Sequence, residues 1–338
     1  MSLLDILACP NCRGELEPAS QALAQSLRCS GCTRRYPVAR GIPVLLPDPG
    51  ASEVVHEDVL AVRSGFEAEI ARALAAVPPD LPVLDMGAGS RQSDDPRLVR
   101  MDVISTPYVD VIGDAHALPF RDGVFGFVHA SAVFEHLARP WVAAQEILRV
   151  LQPGGIVFAD CNFVFPYHGY PAVYFNASAD GLRQLFADFH EFGTVVFPWN
   201  MPAFGIRAIL GEYLRLIRPE TDEERRWCAQ IAAQADFPFE TFDARLTQAE
   251  AMRVAAGTTF VGMKPPNGGR ALVPPPVKAA WESDPALRAR YPDPEKLWQG
   301  EASANTVFDS LLGWGASEGR RTRPEIAAWY ERRVPFRK

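Results

Sequence analysis

The sequence predicts an α/β protein. A mostly parallel, nucleotide-binding sheet is preceded by a small cysteine-held β module and followed by helical additions. Three observations predict it. Short apolar runs recur between Val83 and Ala159, and several end in an acid or lead into glycine, as buried parallel strands do. The first of them runs into Asp85-Met86-Gly87-Ala88-Gly89, where glycine lets the backbone turn tightly and approach a ligand. Two Cys-x-x-Cys pairs stand within the first 32 residues.

The chain has 338 residues, enough for a large core and about two domains. Hydrophobic residues make up 48% and aromatics 10%, which excludes a disordered chain. The formal net charge of −7 disfavours a broad nucleic-acid-binding surface. No apolar run reaches the ~18–20 residues that cross a bilayer, and no basic leader with an apolar core opens the chain. The expectation is a cytoplasmic protein with no membrane partner.

Residues 1–47 form the first unit. Cys9-Pro10-Asn11-Cys12 and Cys29-Ser30-Gly31-Cys32 are separated by sixteen residues, a zinc spacing. Four thiolates make a closed tetrahedral site, so the expected Zn²⁺ is structural. Gly14 and Gly31 stand where tight knuckles call for glycine-like freedom. Disulfides are the alternative, disfavoured by the cytoplasmic reading. Residues 48–80 read as a helical linker, with apolar residues at 59, 62, 66, 70, 74 and 77, stopped by Pro78-Pro79.

Residues 81–264 carry the chemistry. Leu98 to Asp102 is a second strand ending in an acid, and such an acid can accept from both hydroxyls of a ribose. Val111-Ile112-Gly113-Asp114-Ala115-His116 follows. Val124 to Ala130 is the next strand, Glu135-His136 leads into a helix near 141–151, and Ile156 to Ala159 is the strand after it. Only twelve residues separate Gly89 from Asp102, so a loop or single turn is expected there in place of a helix. The third glycine of a dinucleotide fingerprint is absent, its position being Gln92.

The set Leu84-Asp85-Met86-Gly87-Ala88-Gly89, Asp102, Gly113 to Phe120, Glu135-His136 and Glu146 to Gly155 resembles class I S-adenosylmethionine-dependent methyltransferases of the Methyltransf-11 type, over about 80 residues. The resemblance implies a Rossmann-like sheet and S-adenosyl-L-methionine as cofactor, with Asp85, Gly87, Ala88, Gly89, Asp102, Asp114 and Ala115 at its site. It implies that Gly87 and Gly89 pass under the amino-acid end, that Asp102 holds the ribose, and that Asp114 and the Ala115 N–H hold the adenine. The first 47 residues resemble the zinc-ribbon proteins that activate tRNA and protein methyltransferases, and this implies a zinc-held β module working with a methyltransferase domain.

Phe163 to Pro171 follows the strand ending in Asp160 and borders the carboxyl edge of the sheet, where ligands of open α/β sheets bind. His168, His136 and Tyr167 are the candidate catalytic residues, since imidazole with an unperturbed pKa of ~6.5 suits proton transfer near neutrality. His116 and His129 read as structural, and Cys161 and Cys228 as inert. The segment also resembles one in some Methyltransf-11-type enzymes. The Asp and Arg of the run that follows there are replaced by Val173 and Asn176, so those acceptor contacts are not carried over.

The stretch of about 190–255 is expected to be an inserted lid or helices that pair two copies into a homodimer. Residues 265–338 read as a helical appendage, with helices near 279–290, 303–313 and 324–333. The favoured activity is methyl transfer to an O or N atom of a small molecule, a sugar or natural-product intermediate. Two alternatives stand beside it. One is an RNA methyltransferase gripping its substrate with the ribbon through Arg13, Arg28, Arg34, Arg35 and Arg40. The other is a non-catalytic scaffold with a vestigial pocket.

Overall fold

The structure is a computed structural model. It describes residues 2–19, 26–47, 63–64, 66, 68–75, 77–168, 172–234, 238–265, 282, 285–290 and 292. Val83 to Met86 is buried at all four positions, and a strand apolar on both faces must lie inside a sheet covered on both sides. This strand is β6, counting from the N-terminus.

Before it come β1 (Leu16–Pro18), β2 (Ser26–Cys29), β3 (Arg35–Ala39), β4 (Ile42–Leu45) and β5 (Arg63–Ser64). After it come β7 (Arg91–Gln92), β8 (Leu98–Asp102), β9 (Val111–Gly113), β10 (Phe125–Ser131), β11 (Leu151–Asn162), β12 (His190–Val195) and β13 (Gly257–Met263). Eleven strands form one sheet in the order β1-β2-β3-β4-β9-β8-β6-β10-β11-β13-β12. From β4 to β11 each neighbouring pair is parallel. β13 then runs antiparallel against both β11 and β12. The chain leaves β6 outward to β8 and β9, then returns to place β10 on the other side. The order reverses between β6 and β10, and a crevice opens outside their carboxyl ends.

The cysteine module joins this sheet. β4 pairs with β9 through Val44–Ile112 and Leu45–Gly113. The Ala8 N–H donates to the Pro119 carbonyl at 2.9 Å, and the Arg121 N–H to that of Ile6 at 2.9 Å. Ile6, Leu7 and Leu45 lie in one apolar cluster with Leu84, Val111 and Phe120, so the two parts share a core.

Helix α1 (Leu3–Ile6) opens the chain and α2 (Ala68–Ala75) precedes β6. Of the linker read as helical from residue 54, 54–62 lie outside the described residues. Arg63–Ser64 pairs as a short strand with Arg91–Gln92, and Ala68–Ala75 is helical. The twelve residues after Gly89 contain β7 and loop, with no helix, as their number requires.

Helix α3 (Pro140–Val150) starts on proline, whose missing N–H costs nothing at the first helical position. It buries Ala143, Ala144, Ile147 and Val150 on one face. β11 follows directly. Pro153-Gly154-Gly155 therefore lies within the strand, where the register against β10 shifts between Phe125–Leu151 and Phe127–Ile156.

Helix α4 (Ala179–Leu185) is capped by the Ser178 hydroxyl, which accepts from the Gly181 N–H. The stretch read as a lid opens with a strand. β12 lies at the sheet edge beside β13. Helices α5 (Pro202–Leu216), α6 (Asp222–Gln234), α7 (Phe239–Asp243) and α8 (Gln248–Ala251) follow. Pro285–Arg290 is helical, within the expected 279–290. The helices expected near 303–313 and 324–333 lie outside the described residues. No helix among the described residues is long and apolar enough to cross a membrane.

Candidate functional site

Two Cys-x-x-Cys knuckles, one leaving α1 and one joining β2 to β3, bring Cys9, Cys12, Cys29 and Cys32 together, with all four sulfurs within 4.8 Å of one another. Cys12 Sγ stands 3.4 Å from Cys29 Sγ, and Cys9 Sγ 3.6 Å from Cys32 Sγ. Four thiolates at ~2.3 Å from one ion stand about 3.8 Å apart in a tetrahedron, so the cluster is near the size that zinc requires. Arg13 and Thr33, each following the second cysteine of its knuckle, take left-handed φ of 63° and 61°. The conformational freedom expected of Gly14 and Gly31 is thus supplied one residue before the first and two residues after the second. Gly14 is needed for space instead, because a Cβ there would stand 3.0 Å from Cys29 Sγ.

At the reversal point lies a cavity of about 520 Å³. One wall is Gly87, Ala88 and Gly89, where the chain turns out of β6. Gly87 has φ of 71°, and a Cβ on it would meet Val133 Cγ2 at 2.3 Å. Val133 is placed there by the turn after β10. In that turn Ala132 takes φ of 55° and donates its N–H to Asp160 Oδ1 at 2.8 Å.

Asp102 lines the cavity at the end of β8. Its Oδ2 accepts from the Gly89 N–H at 2.7 Å and its Oδ1 from the Ile104 N–H at 3.0 Å. Burial raises its pKa, and those backbone donors oppose the rise. Each carboxylate oxygen accepts more than one hydrogen bond, so Asp102 retains acceptor capacity for a ligand. Asp114 and Ala115 line the same cavity beyond β9. Asp114 Oδ1 accepts from the His116 N–H at 2.8 Å and lies 2.7 Å from His116 Nδ1. Burial alone would raise the Asp114 pKa, but the His116 contacts hold it below its ordinary value. His116 itself also lines the cavity.

Asp85 is the exception. It does not line the cavity but lies beneath the glycine turn, 1% exposed. Its Oδ1 is 2.7 Å from His129 Nδ1 and its Oδ2 2.9 Å from Arg91 Nε. The carboxylate holds the floor of the turn.

His136 and His168 both line the far end of the cavity. His136 closes a 3-10 turn, Phe134–His136, and its Nδ1 is 2.8 Å from the Ala172 carbonyl. Burial lowers its pKa and the neighbouring His168 lowers it further, so its ring is neutral at neutral pH. His168 Nδ1 is 3.0 Å from the Pro166 carbonyl, and the two imidazoles meet edge to face at 5.1 Å. Tyr167 is 67% exposed and stands outside the cavity wall. Tyr174 takes the expected tyrosine place, and its N–H donates to the Glu135 carbonyl at 2.7 Å. Glu135 is fully buried, and Asn162 Nδ2 donates to its Oε1 at 2.6 Å. Tyr174, Asn162 and the Glu135 carboxylate were not singled out as catalytic candidates. The signal for Asn162 was its place two residues beyond Asp160, at the end of β11.

Residues 79–159 match the family profile described as a methyltransferase domain, and residues 2–41 the one described as Trm112p-like protein. A UPF0434 protein of Shewanella oneidensis is 52% identical over 44 residues, 13% of this chain and 71% of that protein. The chain joins a Trm112-like ribbon to a methyltransferase domain. The methyltransferase relative is more distant in extent. A protein of Mycolicibacterium gilvum named as a methyltransferase is 42% identical over 55 residues, which are 16% of this chain and 22% of that one.

Solved structures are also similar in part. A chain of the complex between the Haloferax volcanii Trm112 methyltransferase activator and a methyltransferase matches with a TM-score of 0.36 at 19% identity, covering 60% of this chain and 91% of that one. Phosphoethanolamine N-methyltransferase 2 of Haemonchus contortus, solved with S-adenosyl-L-methionine, matches with a TM-score of 0.33 at 16% identity, covering 60% and 53%.

Proposed function

We propose that the chain is an S-adenosylmethionine-dependent methyltransferase acting on an O or N atom of a small molecule, such as a sugar or a natural-product intermediate. The observation that carries this reading is the one cavity with Gly87, Gly89, Asp102, Asp114 and Ala115 along one side and His136 and His168 at its far end. S-adenosylmethionine supplies an activated methyl group on a sulfonium sulfur. Gly87, Ala88 and Gly89 would let its amino-acid end pass close to the backbone. Asp102 would accept from the ribose hydroxyls, and Asp114 with the Ala115 N–H would take the adenine. The acceptor then stands at the histidine end, held in line with the methyl group, and proximity and alignment supply much of the rate. In this reading Asp85 supports the turn from below without touching the cofactor.

The ribbon would hold structural Zn²⁺ through Cys9, Cys12, Cys29 and Cys32. Its arginines favour the small-molecule reading over RNA. Arg13 pairs with Glu146 at 2.9 Å, Arg34 Nη1 donates to the Pro47 carbonyl, and Arg40 Nη2 to Ser105 Oγ at 3.0 Å. Three of the five guanidinium groups are thus spent inside the chain.

Calorimetric titration of the zinc-loaded protein with S-adenosylhomocysteine tests the reading. Binding is expected in the wild type and at least tenfold weaker binding in Asp102→Ala. A wild type that binds neither S-adenosylhomocysteine nor S-adenosylmethionine would leave the scaffold reading standing. A salt-sensitive shift of RNA would move the acceptor to nucleic acid.

A further inference from the structure

Among the described residues, two groups bring three or more metal-ligating side chains together. One is the four cysteines. The other is Glu135, His136 and His168, whose ligand atoms all lie within 4.8 Å of one another. His168 Nε2 stands 3.8 Å from Glu135 Oε1.

The protonation pattern of the two rings follows from their partners. A backbone carbonyl only accepts, so Nδ1 of His136, against the Ala172 carbonyl, and Nδ1 of His168, against the Pro166 carbonyl, each carry the proton. With Nδ1 protonated, the nitrogen of each ring that can offer a lone pair to a ligand is Nε2. Asn162 Nδ2, an N–H donor, lies 3.3 Å from His168 Nε2, which agrees with that assignment. Metal-binding histidines are oriented in this way, with the second ring nitrogen donating to a carbonyl. The two imidazoles line the cavity, and the buried Glu135 carboxylate stands behind them with the Asn162 amide on its Oε1.

We infer that Glu135, His136 and His168 bind a divalent first-row transition-metal ion at the acceptor end of the cavity. Two imidazoles and one carboxylate suit Mn²⁺, Fe²⁺, Co²⁺ or Zn²⁺ better than Ca²⁺ or Mg²⁺, which take oxygen ligands. Three protein ligands leave open positions, as in sites where an ion meets a substrate. The positions left open face the cavity, and the ligand that fits them is an acceptor presenting hydroxyl oxygens. That last assignment rests on the methyl-transfer reading, whereas the binding of the ion does not.

Mn²⁺ is the probe, because it does not compete with zinc for four thiolates. The zinc-loaded protein is titrated with Mn²⁺, without cofactor or acceptor, and free Mn²⁺ is read by its electron paramagnetic resonance signal. One saturable Mn²⁺ per chain is expected. His168→Ala and His136→Ala should each weaken it at least tenfold, with zinc content and far-ultraviolet circular dichroism unchanged. His168 lies in an exposed loop, so its removal does not threaten the core. Absence of saturable binding, or equal binding by wild type and both variants, overturns the site. Retained S-adenosylhomocysteine binding in such a protein would leave the methyltransferase reading intact.

Discussion

Asp85 shows how much a single buried charge does here. Burial pushes its pKa up. The His129 hydrogen bond and charge and the Arg91 guanidinium outweigh that push, so the carboxyl titrates below its ordinary value. A carboxylate with a depressed folded pKa stabilises the protein above its unfolded value of ~3.9. That stability is lost as pH falls through the lower folded value. Arg91 and Asp85 are 6% and 1% exposed, so removing one charge breaks an ion pair that both side chains make away from water. Asp85→Asn should cost about 3 kcal/mol at pH 7, in the range for breaking a buried pair. Urea unfolding at pH 7 and near pH 3 checks this. The gap between wild type and variant should narrow at the lower pH, and an equal gap at both would show that the charge contributes nothing. Sequence pattern pointed to Asp85 as a residue of the pocket but was silent on which way it turns. Its partners are six and forty-four positions away, and only the folded sheet brings them together.

At the scale of elements, the turn from β6 is fixed by what crosses above it. Gly87 combines a left-handed φ with a Cβ direction blocked by Val133. Gly87→Ala must therefore strain the backbone and displace Val133 together. The expected result is at least tenfold loss of S-adenosylhomocysteine affinity by calorimetry, with folding retained. Gly89→Ala, where φ is also positive but no atom lies within 4 Å of a Cβ, should lose less. Equal losses would assign the whole effect to φ.

The central parallel strands β6, β9 and β10 were legible because each is a short, largely apolar run buried on both faces. β12 was not legible, and its burial explains why. Phe192 and Thr194 are buried but alternate with half-exposed Glu191, Gly193 and Val195, a pattern set by one covered face at a sheet edge. The proline and glycines of β11 follow the helix directly. They also form the bulge that lets the strand resume its pairing. The missing helix after Gly89 was legible from chain length alone. The far end of the cavity was legible in part: His136 and His168, named separately as candidates, both line it, while Tyr167 is exposed and Tyr174 lines the wall.

For the molecule as a whole, the ribbon is a continuation of the methyltransferase sheet. Its contacts are of three kinds. β4 adds strand pairing to β9, Ile6 and Leu7 enter the shared apolar cluster, and Arg13 pairs with Glu146. Glu146 also pairs with Arg149, whose guanidinium donates to the Leu118 and Phe120 carbonyls. Loss of the ribbon would expose the β9 edge and uncover one end of the core, so the two parts should unfold together. Cys29→Ser removes one thiolate of the ribbon while leaving the Glu135–His136–His168 group untouched. In differential scanning calorimetry it should keep a single transition and lower its midpoint by roughly 10 °C, since ~1 kcal/mol moves a domain of this size by ~2–4 °C. Stripping zinc from the wild type with a strong chelator should reproduce the shift, because structural zinc binding is folding free energy. A separate early transition with the main one unmoved would mean that the ribbon is only tethered to the sheet. A single shifted transition would mean that a metal at one end of the molecule stabilises the strands that position Asp102 and Asp114 at the other side of β9.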